Sequence, residues 1–61
     1  MDLWIVRDKK GYCYVSLAKP YDYKGEWLCE YGKLFIGKAD DLSEVTYENS
    51  PQKIELKLIK I

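Results

Sequence analysis

The chain has no histidine. That removes the side chain that most often serves as general base or metal ligand near neutral pH. It also removes every Ser–His and Cys–His nucleophile pair. Cysteine is scarce: Cys13 and Cys29 stand alone, far apart in sequence, and cannot close a zinc site without other ligands. The four glycines, Gly11, Gly25, Gly32 and Gly37, are scattered among turns, so no glycine-rich phosphate loop exists. Net charge is also missing, because ten basic side chains balance ten acidic ones. A neutral chain exerts little long-range pull on nucleic acid, and it mildly favours self-association. No stretch approaches the roughly 20 apolar residues of a membrane-spanning helix. The opening Met1-Asp2-Leu3 carries no recognisable secretory signal. A reducing, cytoplasmic setting without a disulfide is the resulting expectation.

What remains is a chain of 61 residues, read as one small β domain over 1–61, and rich in aromatics. Domains of this size bury only about 60% of the surface of their unfolded chain. Large rings then become efficient core material, and Trp4, Trp27, Phe35 and six tyrosines supply them.

The clearest structural signal runs from Leu3 to Leu17. Two β-prone runs, Leu3–Arg7 and Tyr12–Leu17, flank Asp8-Lys9-Lys10-Gly11. A three-residue loop with Gly11 in the left-handed conformation pairs Ile5 with Val15 and Arg7 with Cys13. One face then carries Leu3, Ile5, Cys13, Val15 and Leu17, and the other carries Trp4, Val6, Tyr12, Tyr14 and Ser16. A two-residue loop shifts the register by one and also leaves an apolar face. The three-residue loop is preferred because it gives Gly11 a reason to be glycine.

Beyond it, Lys19–Gly25 reads as a connection, with Pro20 ending the second strand. Glu26–Ile36 reads as a second hairpin turning at Glu30-Tyr31-Gly32, which would set Trp27 opposite Phe35. Gly37–Glu44 is a loop with room for one helical turn capped by Asp40 or Asp41. Val45–Glu48 is a short β-prone run, and Asn49-Ser50-Pro51 a turn. The last segment alternates Ile54, Leu56 and Leu58 against Lys53, Glu55 and Lys57, and predicts a half-buried strand over Lys53–Leu58 whose phase slips at Ile59. The expected fold is all-β. It is a small antiparallel sheet of four to five strands, two hairpins plus a C-terminal strand, left open or curled into a partly open barrel.

The sequence resembles a group of short, functionally uncharacterised proteins of bacterial (notably gut Bacteroidetes) and phage or prophage genomes. The likeness rests on Leu3-Trp4-Ile5-Val6-Arg7-Asp8-Lys9-Lys10-Gly11 and on Asp41-Leu42-Ser43-Glu44-Val45-Thr46-Tyr47-Glu48-Asn49-Ser50-Pro51, with Pro20 and Trp27 between them. It spans most of the chain. It implies kinship with phage-type or mobile-element factors but brings no activity and no functional residue with it.

Candidate chemistry is therefore thin. Asp40, Asp41, Glu44 and Glu48 form an acidic cluster whose spacing does not match a calcium loop, and they read as a solvated loop. Cys13 reads as a small buried hydrophobe. No catalytic, cofactor-binding or metal-binding residue is expected, and no enzyme. The aromatics are the candidates for an interaction surface: Trp4, Tyr12 and Tyr14 on one sheet face, and Tyr21, Tyr23 and Trp27 around the connection. The favoured expectation is a protein-interaction module that binds a partner or a second copy. The alternative is single-stranded nucleic-acid binding by stacking on Trp4, Tyr12 and Tyr14.

Overall fold

The computed structural model describes residues 2–55. Six strands follow one another: β1 (Asp2–Arg7), β2 (Cys13–Ser16), β3 (Tyr21–Tyr23), β4 (Glu26–Leu28), β5 (Leu34–Gly37) and β6 (Gln52–Glu55). A single 3-10 turn, Asp40–Leu42, lies between β5 and β6. The strands make a four-stranded sheet in the order β5-β2-β1-β6 and a separate two-stranded ribbon, β3-β4. Every pairing is antiparallel. The fold is thus all-β with two hairpins and a late strand, as the sequence pattern indicated. Among the described residues the sheet stays open, with β5 and β6 at its edges.

The first hairpin adopts the three-residue loop. Ile5 pairs with Val15 and Arg7 with Cys13. The N–H of Gly11 donates to the Asp8 carbonyl at 3.1 Å, and that of Asp8 to the Tyr12 carbonyl at 2.9 Å. The Asp8 carboxylate accepts the N–H groups of Lys10 and Tyr12, so one side chain closes the whole turn. Gly11 has φ 95°, a conformation that costs an L-residue about 1 kcal/mol or more.

β1 lies between β2 and β6, so both of its edges are paired, and both of its faces are covered where Ile5 and Val6 are buried. On the face of Ile5 and Cys13, both buried, the cover is the segment 38–50, and Arg7 holds it there. Its Nε donates to the Val45 carbonyl at 2.5 Å. One terminal nitrogen donates to Gly11 and Lys38, and the other to Ala39 and Leu42. Five N–H groups meet five carbonyls, the full donor capacity of a guanidinium. The segment is further tied by the Ser50 hydroxyl, which accepts the Arg7 N–H and donates to the Thr46 carbonyl. On the opposite face Val6 is buried, and the Trp27 indole N–H donates to the Arg7 carbonyl at 2.9 Å, which docks the β3-β4 ribbon on the end of β1.

Three expectations need correction. The second hairpin is Tyr21–Leu28, not Glu26–Ile36: Tyr21 pairs with Leu28 and Tyr23 with Glu26. The turn before Gly32 does form, with the Gly32 N–H donating to the Cys29 carbonyl, but the chain leaves it for the other sheet, where Phe35 pairs with Tyr14 and Leu34 with Val15. The run Val45–Glu48 is not a strand, because its polar groups are consumed locally: Thr46 and Asn49 exchange side-chain-to-backbone hydrogen bonds. Neither Asp40 nor Asp41 caps the 3-10 turn, since the capping position falls to Ala39 at φ 47°. Of the predicted strand Lys53–Leu58, β6 covers the part up to Glu55; Leu56, Leu58 and the phase slip at Ile59 lie outside the described residues.

The new hairpin turns through Lys24 and Gly25, both at positive φ (54° and 86°), which is a two-residue turn twisted to match its strands. Asp22 closes it by accepting the Gly25 N–H at 3.0 Å. Lysine pays for a left-handed conformation that asparagine tolerates well. Lys24→Asn is therefore expected to stabilise the protein by about 0.5 kcal/mol, seen as a raised urea midpoint. A lowered midpoint would mean that the Lys24 ammonium, 5.3 Å over the Tyr23 ring, matters more than the turn.

Candidate functional site

Two surfaces stand out, one on each side of β5. The first is aliphatic. Val15 and Leu34 are cross-strand partners, and Leu3, Leu17 and Tyr31 join them around a shallow groove of about 420 Å³. No residue of the 38–50 segment lines the groove, and among the described residues its walls stay open. Leu17 is 68% exposed, Leu34 67% and Tyr31 80%. β5 itself is an edge strand whose outer backbone groups have no partner strand among the described residues. Lys33 and Lys38 bracket it, and no acidic residue occurs between Tyr31 and Ala39.

The second surface is an aromatic cleft of about 640 Å³ between the Asp8–Tyr12 turn and the β3-β4 ribbon. Phe35 sits between Tyr12 and Tyr14, with ring centroids 5.6 and 5.4 Å away and planes tilted by 55° and 51°. The Lys33 ammonium lies 4.3 Å over the Tyr14 ring and donates to the Trp27 carbonyl. Lys9, Lys10 and Lys24 also line the cleft, against the carboxylates of Asp8 and Glu26.

The six aromatics singled out from the sequence are thus divided. Tyr12 and Tyr14 do come together, but their companion is Phe35 rather than Trp4. Trp4 lies further along β1 across from Ser16, half-buried, with the Lys19 ammonium 5.5 Å over its ring. Tyr21 and Tyr23 are exposed on the outer face of the ribbon. Trp27 is directly opposite Asp22, on the inner face, and only 5% exposed. It belongs to the core and also lines the wall of the aromatic cleft. Phe35, Leu34 and Lys33 were absent from the expected surface. Their signal was an edge position, which only the pairing of β5 with β2 reveals.

Burial pushes the Cys13 thiol up, the Arg7 charge opposes this, and the Asp8 charge adds a smaller upward push. Cys13 is fully buried and stays a protonated thiol at neutral pH. Cys29 is also free and donates weakly to the Ala18 carbonyl at 3.4 Å. Among the described residues no group of three His, Cys, Asp or Glu side chains is placed to hold a metal ion. No helix among them is long and apolar enough to cross a membrane.

Two tyrosines carry a pH dependence. Burial raises Tyr14, helped by the charges of Asp8 and Glu26. Tyr47 is raised by the hydrogen bond its hydroxyl donates to Asp22 at 2.5 Å, then by burial and by the charges of Asp22 and Glu48. In the unfolded chain both ionise near pH 10. The folded state holds these protons to higher pH, so the unfolded state binds fewer protons there. The stabilisation is complete below about pH 10 and is lost as pH rises through the folded values. The urea midpoint is expected to fall above that pH. Asp22→Asn should let Tyr47 ionise earlier, read from phenolate absorbance against a Tyr47→Phe reference. An unchanged alkaline titration in Asp22→Asn would contradict the assignment.

Comparison with family models, with curated proteins and with solved structures found no match to this chain.

Proposed function

We propose that the protein is a protein-interaction module that accepts an extended, acidic segment of a partner along the free edge of β5. The observation that carries this reading is the edge itself. Natural sheets blunt their edges with inward charges, prolines or bulges that turn the strand away. Here Leu34, Phe35 and Ile36 run exposed along the edge with only a single bulge against β2, next to the open groove of Leu3, Val15 and Leu17. A strand added there gains main-chain hydrogen bonds, and its alternate side chains fall into the aliphatic groove. Lys38, just past the C-terminal end of β5, selects an acidic residue at that end of the added segment.

A second copy is the less favourable occupant. Two-fold pairing that uses all four β5 residues, Leu34 against Gly37 and Phe35 against Ile36, also sets Lys33 opposite Lys38. Like charges directly opposed across strands are destabilising.

The test is a titration of the full chain with short extended peptides, apolar at alternate positions and flanked either by glutamates or by lysines, followed by amide NMR shifts. The glutamate-flanked peptide is expected to move the amides of 34–37, and Ile36→Lys, which places a charge at the edge, is expected to abolish the effect. Equal binding of both peptides, or no shift in 34–37, would overturn the reading. So would a concentration-dependent dimer whose β5 amides are protected without any peptide.

A further inference from the structure

We infer that the aromatic cleft on the other side of β5 is a binding site for a nucleotide unit, a planar base joined to a phosphate. This is a different ligand class from the peptide proposed for the edge, and it stands on different observations.

The first is an asymmetry of charge. The chain as a whole is neutral, yet four lysine side chains line the cleft, Lys9, Lys10, Lys24 and Lys33, against two carboxylates; the Lys9 and Lys24 ammoniums rest over the neighbouring Tyr47 and Tyr23 rings and must swing inward to meet a phosphate. One carboxylate is already occupied, because Asp8 accepts two backbone N–H groups of its own turn. The second observation is a prepared cation. Lys33 is held between the Tyr14 ring and the Trp27 carbonyl. An ammonium has three donors, and that one protein acceptor leaves others for a phosphate oxygen. The third is a free ring. Phe35 packs at tilts of 55° and 51° against two tyrosine rings and is still 56% exposed, which leaves ring surface on which a base can stack. A base stacked on Phe35 places its sugar-phosphate within the lysine rim, and base–aromatic stacking is worth about 1–3 kcal/mol per base.

The cleft lacks the arginine fork with which proteins grip a lone phosphate bidentately. Its distinguishing feature is the ring beside the cation. A nucleotide meets both, whether it is free or part of a single strand.

The experiment uses the full chain carrying Trp4→Phe, so that Trp27 in the cleft is the sole indole reporter. The probes are oligothymidylate, a nucleoside monophosphate and inorganic phosphate at low salt. Oligothymidylate is expected to change Trp27 emission. With two to three phosphate contacts on a single strand, affinity should drop about tenfold between 50 and 200 mM salt. Phe35→Leu should weaken binding at least about fivefold through lost stacking. Lys10→Glu combined with Lys24→Glu should abolish it, with urea midpoints reported for each variant to show that it is folded. If the monophosphate binds as well as the oligomer, the ligand is a free nucleotide; if only the oligomer binds, it is a single strand. Either result supports the inference. No response to either probe at low salt would overturn it. So would inorganic phosphate acting alone with Phe35→Leu unaffected, since that marks a simple anion site.

Discussion

Arg7→Ala is expected to remove about half or more of the protein's stability. The guanidinium reaches the carbonyls of Gly11, Lys38, Ala39, Leu42 and Val45 at once. These groups belong to the first turn and to an irregular segment with little backbone pairing of its own. Hydrogen bonds to a charged donor contribute about 1.5–3 kcal/mol each, though not additively, and several of these carbonyls can recover water when the donor is lost. A net cost of about 3–5 kcal/mol is the expectation. A domain of this length has only about 3–9 kcal/mol in total. Arg7→Lys separates charge from geometry. Lysine keeps the charge but has three donors on a single atom, and cannot span five acceptors. It should cost about 2 kcal/mol or more. Urea unfolding followed by circular dichroism measures both. If Arg7→Lys fell within about 0.5 kcal/mol of the parent protein, the range of unremarkable surface changes, the carbonyl array would not be what holds the 38–50 segment.

Arg7 also shows where the sequence stops being informative. Its register opposite Cys13 was legible from Gly11 alone, because the apolar alternation also allows the register shifted by one. Its acceptors were not, since they are main-chain carbonyls in a segment without periodicity. The second hairpin failed for a related reason. Glycine at 32 announces a reversal but not which strand receives the chain afterwards, and β5 goes to β2, about twenty residues back in sequence. β3 was hidden by its brevity: Tyr21-Asp22-Tyr23 is too short for a pattern, and lysine is an unusual first residue for its turn. Reading Lys24-Gly25 as a two-residue turn would have placed Trp27 across from Asp22 and away from Tyr21 and Tyr23. The interaction surfaces inherited this error. Phe35 was assigned to the interior of a hairpin that does not exist, while Trp27 was counted among the exposed rings.

Trp27→Ala is accordingly expected to be a stability defect and not a selective binding defect. The indole is almost fully buried, its N–H holds the Arg7 carbonyl, and its ring lies 6.0 Å from that of Tyr47, which is itself bonded to Asp22 on the same ribbon. Emptying such a site costs about 3–5 kcal/mol. Trp27→Phe keeps most of the apolar volume but leaves the Arg7 carbonyl without the indole donor, at about 1–2 kcal/mol. Tyr21→Ser and Tyr23→Ser, on the outer face of the same ribbon, should stay within about 0.5 kcal/mol of the parent protein. The ordering alanine, phenylalanine, tyrosine variants, read from urea midpoints, is the expected result. A Trp27→Ala protein as stable as the parent would put the indole outside the core and return it to the interaction surface. The same logic decides which variants are fit to test function. Leu34, Phe35 and Ile36 are exposed on an edge, so their substitution can alter binding without emptying the core, whereas a binding loss in any Trp27 variant reports unfolding first.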